Sequence, residues 1–207
     1  LLERLEQGTK KPQVLVLTPT RELAIQVAES FKAYAAGHPH LNVLAVYGGA
    51  DFRSQVNSMK QGVDVVVGTP GRVMDHMRQR TLNTSCLRSF VLDEADEMLR
   101  MGFIDDVEWI LEQLPTKRQM VLFSATMPSE IRRLSKRYLH EPAEITIKSR
   151  AKEARLISQK YITIQNFYKL KALSRVLETF TGEGVIIFAR TKAITLTVAE
   201  SLESSGH

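Results

Sequence analysis

The residues best suited to chemistry are two adjacent carboxylates set directly after an apolar run: Phe90-Val91-Leu92 leads into Asp93-Glu94-Ala95-Asp96. An aspartate at the end of a buried strand can hold Mg²⁺, directly or through water, beside the β- and γ-phosphates of a nucleotide. A neighbouring glutamate can orient and deprotonate an attacking water. Both acids are needed, because one is committed to the metal. The pair also has a plainer reading, as acids favoured by the dipole at the start of the next helix. A second chemistry is carried by Pro19-Thr20-Arg21 and Thr69-Pro70-Gly71-Arg72, each set between a Val/Leu-rich run and an amphipathic one. At the first turn of a helix, unpaired N–H groups, a hydroxyl and a guanidinium make a cradle for an anion. Helix capping by Thr20 and Thr69, with Pro70 in the first turn, is compatible with that use. Gly48-Gly49 follows another apolar run and allows either close backbone approach or a plain turn.

These groups need elements to place them. β-branched runs at 14–17, 43–46, 63–67, 90–92, 120–123 and 145–147 read as strands. Between them, helical spacing predicts helices over 21–36, 52–60, 72–79 and 104–114, with another carrying Ile131, Leu134 and Tyr138. Runs that are apolar at every position suit strands buried between two helix layers. Strand–helix alternation predicts right-handed βαβ units, hence an α/β, doubly wound parallel sheet, whose ligands bind beyond the carboxyl ends of the strands. Ser124 and Thr126, after the fifth strand, then fall beside the acidic pair. Residues 148–156 are polar, basic and aperiodic, and read as a linker. The pattern restarts with strands at 161–164 and 185–188, each followed by a helix. The expected organisation is one nearly complete domain over 1–147, the linker 148–156, and the start of a second domain over 157–207.

Composition narrows the function classes. With 43% hydrophobic and 25% charged residues, the 207-residue chain is an ordinary globular sequence rather than a disordered one. No apolar run approaches the roughly 20 residues of a membrane helix, and the charged start, Leu1-Leu2-Glu3-Arg4, is unlike a signal peptide. The single cysteine, Cys86, excludes an internal disulfide and a cysteine-based zinc site, and fits a reducing, cytoplasmic compartment. His38 and His40 have no third ligand near them in sequence and read as loop residues. The net charge of +5 is carried by nine bases against four acids between Pro128 and Lys160, a solvated helix face with a basic linker or a surface that attracts phosphates. A start at Leu and an end inside a helical pattern read as a piece of a longer chain.

Asp93-Glu94-Ala95-Asp96 spells the name-giving motif of the DEAD-box RNA helicases, and further motifs of that family follow its order. Pro19-Thr20-Arg21-Glu22-Leu23 and Thr69-Pro70-Gly71-Arg72 resemble its two RNA-contacting motifs of the first domain. Gly48-Gly49 resembles its double-glycine element and Ser124-Ala125-Thr126 its coupling motif. Ile187-Phe188-Ala189-Arg190-Thr191 is similar to the first motif of its second domain, where the family often has Val at the place of Ala189. The run through Gly102 and Phe103 is most like the bacterial cold-shock (DeaD-type) branch. The resemblance implies RecA-like domains, the first lacking its N-terminal part, and ATP-driven local unwinding of RNA duplexes. It assigns Asp93 to Mg²⁺ and Glu94 to the water. Thr20, Arg21, Thr69, Arg72, Arg190 and Thr191, with the glycines, fall to the RNA backbone, and Ser124 and Thr126 hydrogen-bond Asp96. The phosphate loop Gly-x-x-x-x-Gly-Lys-Ser/Thr is missing, since no two of the eleven glycines lie five apart. The chain alone is therefore expected to be poorly stable and to turn over no ATP, and a truncated, non-catalytic RNA-binding module is the alternative.

Overall fold

The computed structural model describes residues 1–6, 8–38, 40–147, 158–180 and 184–206. The chain divides into two compact units, Leu1–Glu144 and Ile145–His207. In the first, β1 (Val14–Leu17), β2 (Val43–Val46), β3 (Val65–Gly68), β4 (Ser89–Leu92) and β5 (Gln119–Leu122) form one sheet in the order β2-β3-β1-β4-β5. Every pairing is parallel. Parallel neighbours cannot be joined by tight hairpins, so each connection carries a helix. These are α1 (Arg21–Tyr34), α2 (Phe52–Gln61), α3 (Pro70–Arg78), α4 (Ala95–Arg100) and α5 (Ile104–Glu112), with α6 (Ser129–Tyr138) after the last strand. The result is the α/β doubly wound sheet expected from the alternation, and the RecA-like fold that the resemblance implies.

Side chains two apart on a strand point to the same face, and the sheet divides its core accordingly. Leu15, Leu17, Val66, Phe90 and Leu92 pack with Val73, Met98, Val107, Ile110, Ile131 and Leu134 from α3–α6. Val14, Val16, Val65, Val67 and Val91 pack on the other face, where α1 presents Ala24 and Ala28. β1, β3 and β4 are buried throughout, while β2 and β5 at the edges are only partly so.

Several boundaries differ from the periodicity. β3 begins at Val65, just after Asp64, whose carbonyl accepts from the Gln13 and Val14 amides. α3 begins at Pro70, which supplies a ready φ for the first turn. A separate short helix, α4, ends at Arg100, and just beyond its C-cap Met101 stands Gly102, whose φ of +80° suits glycine. No strand forms at 145–147, where Ile145 and Ile147 are about nine-tenths exposed. The same holds at 161–164 and 185–188, with Tyr161 and Phe188 over 90% exposed. A strand needs a neighbour for its N–H and C=O groups, and among the described residues none pairs with these segments. In the second unit α7 (Lys169–Leu177) and α8 (Lys192–Ser204) form as the spacing predicts. The linker expected at 148–156 lies outside the described residues.

Gly68, which no motif includes, is a packing requirement. A Cβ there would stand 2.5 Å from the Val46 carbonyl oxygen and 2.8 Å from Val73. Gly68→Ala should lose about 1–3 kcal/mol in urea unfolding. Gly71→Ala, where a Cβ meets nothing within 4 Å, should lose none.

Candidate functional site

The strand ends are level. Leu17 is in register with Gly68 and Leu92, Gly68 with Val46, and Leu92 with Leu122. All five following loops therefore leave from one edge. Read along it in sheet order, they carry Gly48-Gly49, Thr69 to Arg72, Pro19 to Arg21, Asp93-Glu94, and Ser124 to Thr126.

The two threonine–arginine turns differ in detail. Thr20 caps α1, its hydroxyl accepting from the Leu23 amide at 3.2 Å. Pro19 is buried beneath it, and Arg21 is exposed with Glu22 beside it at 3.1 Å. Thr69 occupies the corresponding position before α3, yet its side chain makes no capping hydrogen bond. Space over Gly71 is open, as it is over Gly48. Gly49 has a φ of +84° and faces the Arg21 guanidinium, so the glycine pair and the Thr20 turn adjoin. Arg72 turns inward: it donates to the Ala50 carbonyl at 3.0 Å and to Gln55 Oε1 at 3.1 Å, and its guanidinium lies over the Phe52 ring. It thus braces the loop behind the glycines, where the sequence reading had it as charge aimed at phosphate.

Asp93 continues β4, its amide donating to the Leu17 carbonyl at 3.0 Å. Burial raises its pKa, against a backbone hydrogen bond at Glu94 that lowers it. An open groove of about 470 Å³ walled by Val16, Val27, Phe31, Val91, Val121 and Phe123 runs up to it. Carboxylate oxygens are hard donors, and a cation beside Asp93 would offset the desolvation that burial imposes. One or two carboxylates with substrate phosphates are the usual donor set for Mg²⁺, so Asp93 fits that ion. No group of three or more metal-ligating side chains occurs among the described residues, His38 and His40 included. Glu94 is exposed in a left-handed turn (φ +53°, ψ +52°), while its carbonyl accepts from the Met98 amide as α4 begins. For a residue with a side chain that backbone is strained, and it takes Glu94 out of the path of both strand and helix.

Asp96 is nearly buried. Its Oδ2 accepts from Thr126 Oγ1 at 2.6 Å and from the Thr126 amide at 2.9 Å. The Asp96 amide donates to Ser124 Oγ at 3.2 Å, and the Ser124 hydroxyl donates to the Thr126 carbonyl at 2.6 Å. The first turn of α4 is thereby tied to the loop after β5. The Thr126 hydroxyl is the main reason that the Asp96 carboxyl is held down to about 2. Arg190 and Thr191 lie in the second unit, at the start of α8, where the Thr191 hydroxyl accepts from the Ile194 amide at 3.3 Å. The four bases of α6 are exposed, and Arg133 and Arg137 pair with Glu108 and Glu112 of α5. That part of the basic cluster is a solvated, partly neutralised helix face. Lys148, Arg150, Lys152 and Arg155 lie outside the described residues. Gln55 and His76, both buried beside Arg72, had no motif to reveal them.

A sequence model of the DEAD/DEAH box helicases matches residues 1–134. The chain is 50% identical over 206 residues to an ATP-dependent RNA helicase DeaD of Mycobacterium tuberculosis, covering all of this chain and 36% of that protein. To the Escherichia coli protein of the same name it is 50% identical over 207 residues, covering 33% of that protein. Among solved structures it resembles a DEAD box protein from the hyperthermophile Methanococcus jannaschii, with a TM-score of 0.67 and 38% identity over 99% of this chain and 54% of that one. The chain thus spans about a third of the length of these two DeaD relatives.

A folded pKa depressed to about 2 means that Asp96 adds stability above the ordinary carboxylate range near 4, and that this is lost as pH falls through about 2. Thr126→Val should lower stability by about 1–3 kcal/mol at pH 7. The gap between variant and wild type in urea unfolding should narrow below pH 4.

Proposed function

The chain belongs to the DEAD/DEAH box helicase family, and from that premise we propose that it is part of an ATP-dependent RNA helicase that couples ATP hydrolysis to local opening of RNA duplexes. Residues 1–147 form the first helicase domain in this reading, 148–156 a linker and 157–207 the start of the second. The observation that carries it is the single edge on which the anion cradles and the acidic pair stand side by side. The Thr20 and Thr69 turns and Gly48-Gly49 take the RNA backbone, which makes binding independent of base sequence; Gly71 adds close approach, and Arg190 and Thr191 serve the second domain in the same way. Asp93 helps to hold Mg²⁺, which when bound supplies positive charge against the β- and γ-phosphates of ATP. Glu94 orients the attacking water and accepts its proton at a carboxylate oxygen. Asp96, Ser124 and Thr126 join the acidic loop to the loop after β5, so a change at one is felt at the other. The protein works in the cytoplasm, a reading supported by its lone cysteine; no helix is long and apolar enough to cross a membrane among the described residues.

The missing Gly-x-x-x-x-Gly-Lys loop favours a second reading for the 207 residues taken alone: an RNA-binding module without ATPase activity. Phosphate release by this chain should stay at background with or without RNA, and RNA-stimulated release would contradict the reading. In the full-length helicase, Glu94→Gln should keep ATP binding and reduce hydrolysis by about 10²-fold or more. Hydrolysis at the wild-type rate would remove Glu94 from its role.

A further inference from the structure

Behind the glycine pair lies a buried polar cluster that none of the family motifs accounts for. His76 of α3 is fully buried and stacks on Phe52 of α2 with ring centres 4.3 Å apart. Its Nε2 is 2.9 Å from Gln55 Oε1, and its Nδ1 is 2.8 Å from the Thr81 hydroxyl. Gln55 in turn donates through Nε2 to the Tyr47 carbonyl at 3.3 Å. Arg72 donates through Nη1 both to Gln55 Oε1 and to the Ala50 carbonyl. The carbonyls on either side of Gly48-Gly49, those of Tyr47 and Ala50, are therefore both fastened to this cluster, one by Gln55 and one by Arg72. Both glycines are exposed, and among the described residues no acceptor is found for their amides.

The donors and acceptors place a hydrogen on Nε2 of the histidine. With the Gln55 amide nitrogen on the Tyr47 carbonyl, its oxygen faces Arg72 and His76. An amide oxygen only accepts, so His76 must carry its hydrogen on Nε2. The Thr81 hydroxyl also stands 3.1 Å from the His76 carbonyl, so its one hydrogen serves either that oxygen or Nδ1; in the neutral ring Nδ1 accepts it. A second proton would place a cation in a buried site beside Arg72; burial first and Arg72 second bring the His76 pKa down to about 4, with Asp75 opposing. Arg72 and Asp75 are the charged groups that act on it, both from α3, while α2 contributes the uncharged Phe52 and Gln55 and the turn after α3 the uncharged Thr81.

We propose that neutral His76, donating from Nε2, is a positioning residue for RNA: it fixes the Gln55 carboxamide, which together with Arg72 sets the glycine loop so that the Gly48 and Gly49 amides face a backbone phosphate. This rests on the reading that the edge binds the RNA backbone. Two measurements on the 207-residue chain test it. The imidazole ¹⁵N spectrum at pH 7 should show His76 as the Nε2–H tautomer, and an Nδ1–H tautomer or a doubly protonated ring would overturn the proposal. The second is the affinity for a fluorescent single-stranded oligouridylate, measured by anisotropy across a salt series. His76→Phe keeps the stack on Phe52 and removes the donor; it should bind about tenfold more weakly, with a shallower salt dependence. His76→Gln, whose amide can reach the place of Nε2, should recover most of that loss. Equal binding by wild type and His76→Phe overturns the proposal and leaves the RNA reading standing, as does failure of His76→Gln to rescue. No binding by the wild type, where Arg21→Ala is equally silent, overturns both.

Discussion

A parallel sheet brings every strand in at one edge and sends it out at the other. That constraint arranges everything else in the first unit. Because Val46, Gly68, Leu17, Leu92 and Leu122 stand in register, loops drawn from more than a hundred residues of chain are delivered to one line. The helices between strands cover the two sheet faces and keep the strands apolar on both sides. Gly68 lets the β3 exit pass against the Val46 carbonyl. Without that close approach, the glycine pair and the Thr69 turn would not be neighbours.

Along the line, the sheet separates two kinds of chemistry around its central strand. On the side of β3 and β2 stand open backbone and exposed glycines. On the side of β4 and β5 stand carboxylates in contrasting surroundings: Asp93 desolvated beside an apolar groove, Glu94 held in solvent by a left-handed turn, and Asp96 nearly buried but supplied with hydrogen bonds from Thr126. Asp96 has two hydrogen bonds from Thr126 to meet its charge, while Asp93 has a backbone hydrogen bond at Glu94 set against its burial. That contrast is the electrostatic basis of the metal, base and coupling roles proposed for acids that lie within four residues of one another.

Much of this was legible in the sequence because it is local. Val-rich runs at 14–17 and 43–46 became strands at those limits, and Asp93-Glu94 stands at a strand end, as its place after an apolar run predicts. What was not legible depends on partners remote in the chain. The runs at 145–147, 161–164 and 185–188 have the apolar content of strands and pair with nothing among the described residues. Arg72 read as a phosphate ligand because of its place in a motif, whereas its direction is decided by Gln55 and the Ala50 carbonyl, about twenty residues away. His76 left no trace in the pattern, since a buried polar side chain is recognisable only through the groups that satisfy it.

In the proposed function, RNA lies along the carboxyl edge of the sheet. Backbone amide chemical shifts of the chain, followed during titration with a short single-stranded RNA, test it most directly. Perturbations should gather at residues 20–22, 48–51 and 69–72, at the exits of β1, β2 and β3. Perturbations gathered instead around Thr9, Ser85 and Lys117, at the opposite ends of the strands, would contradict it.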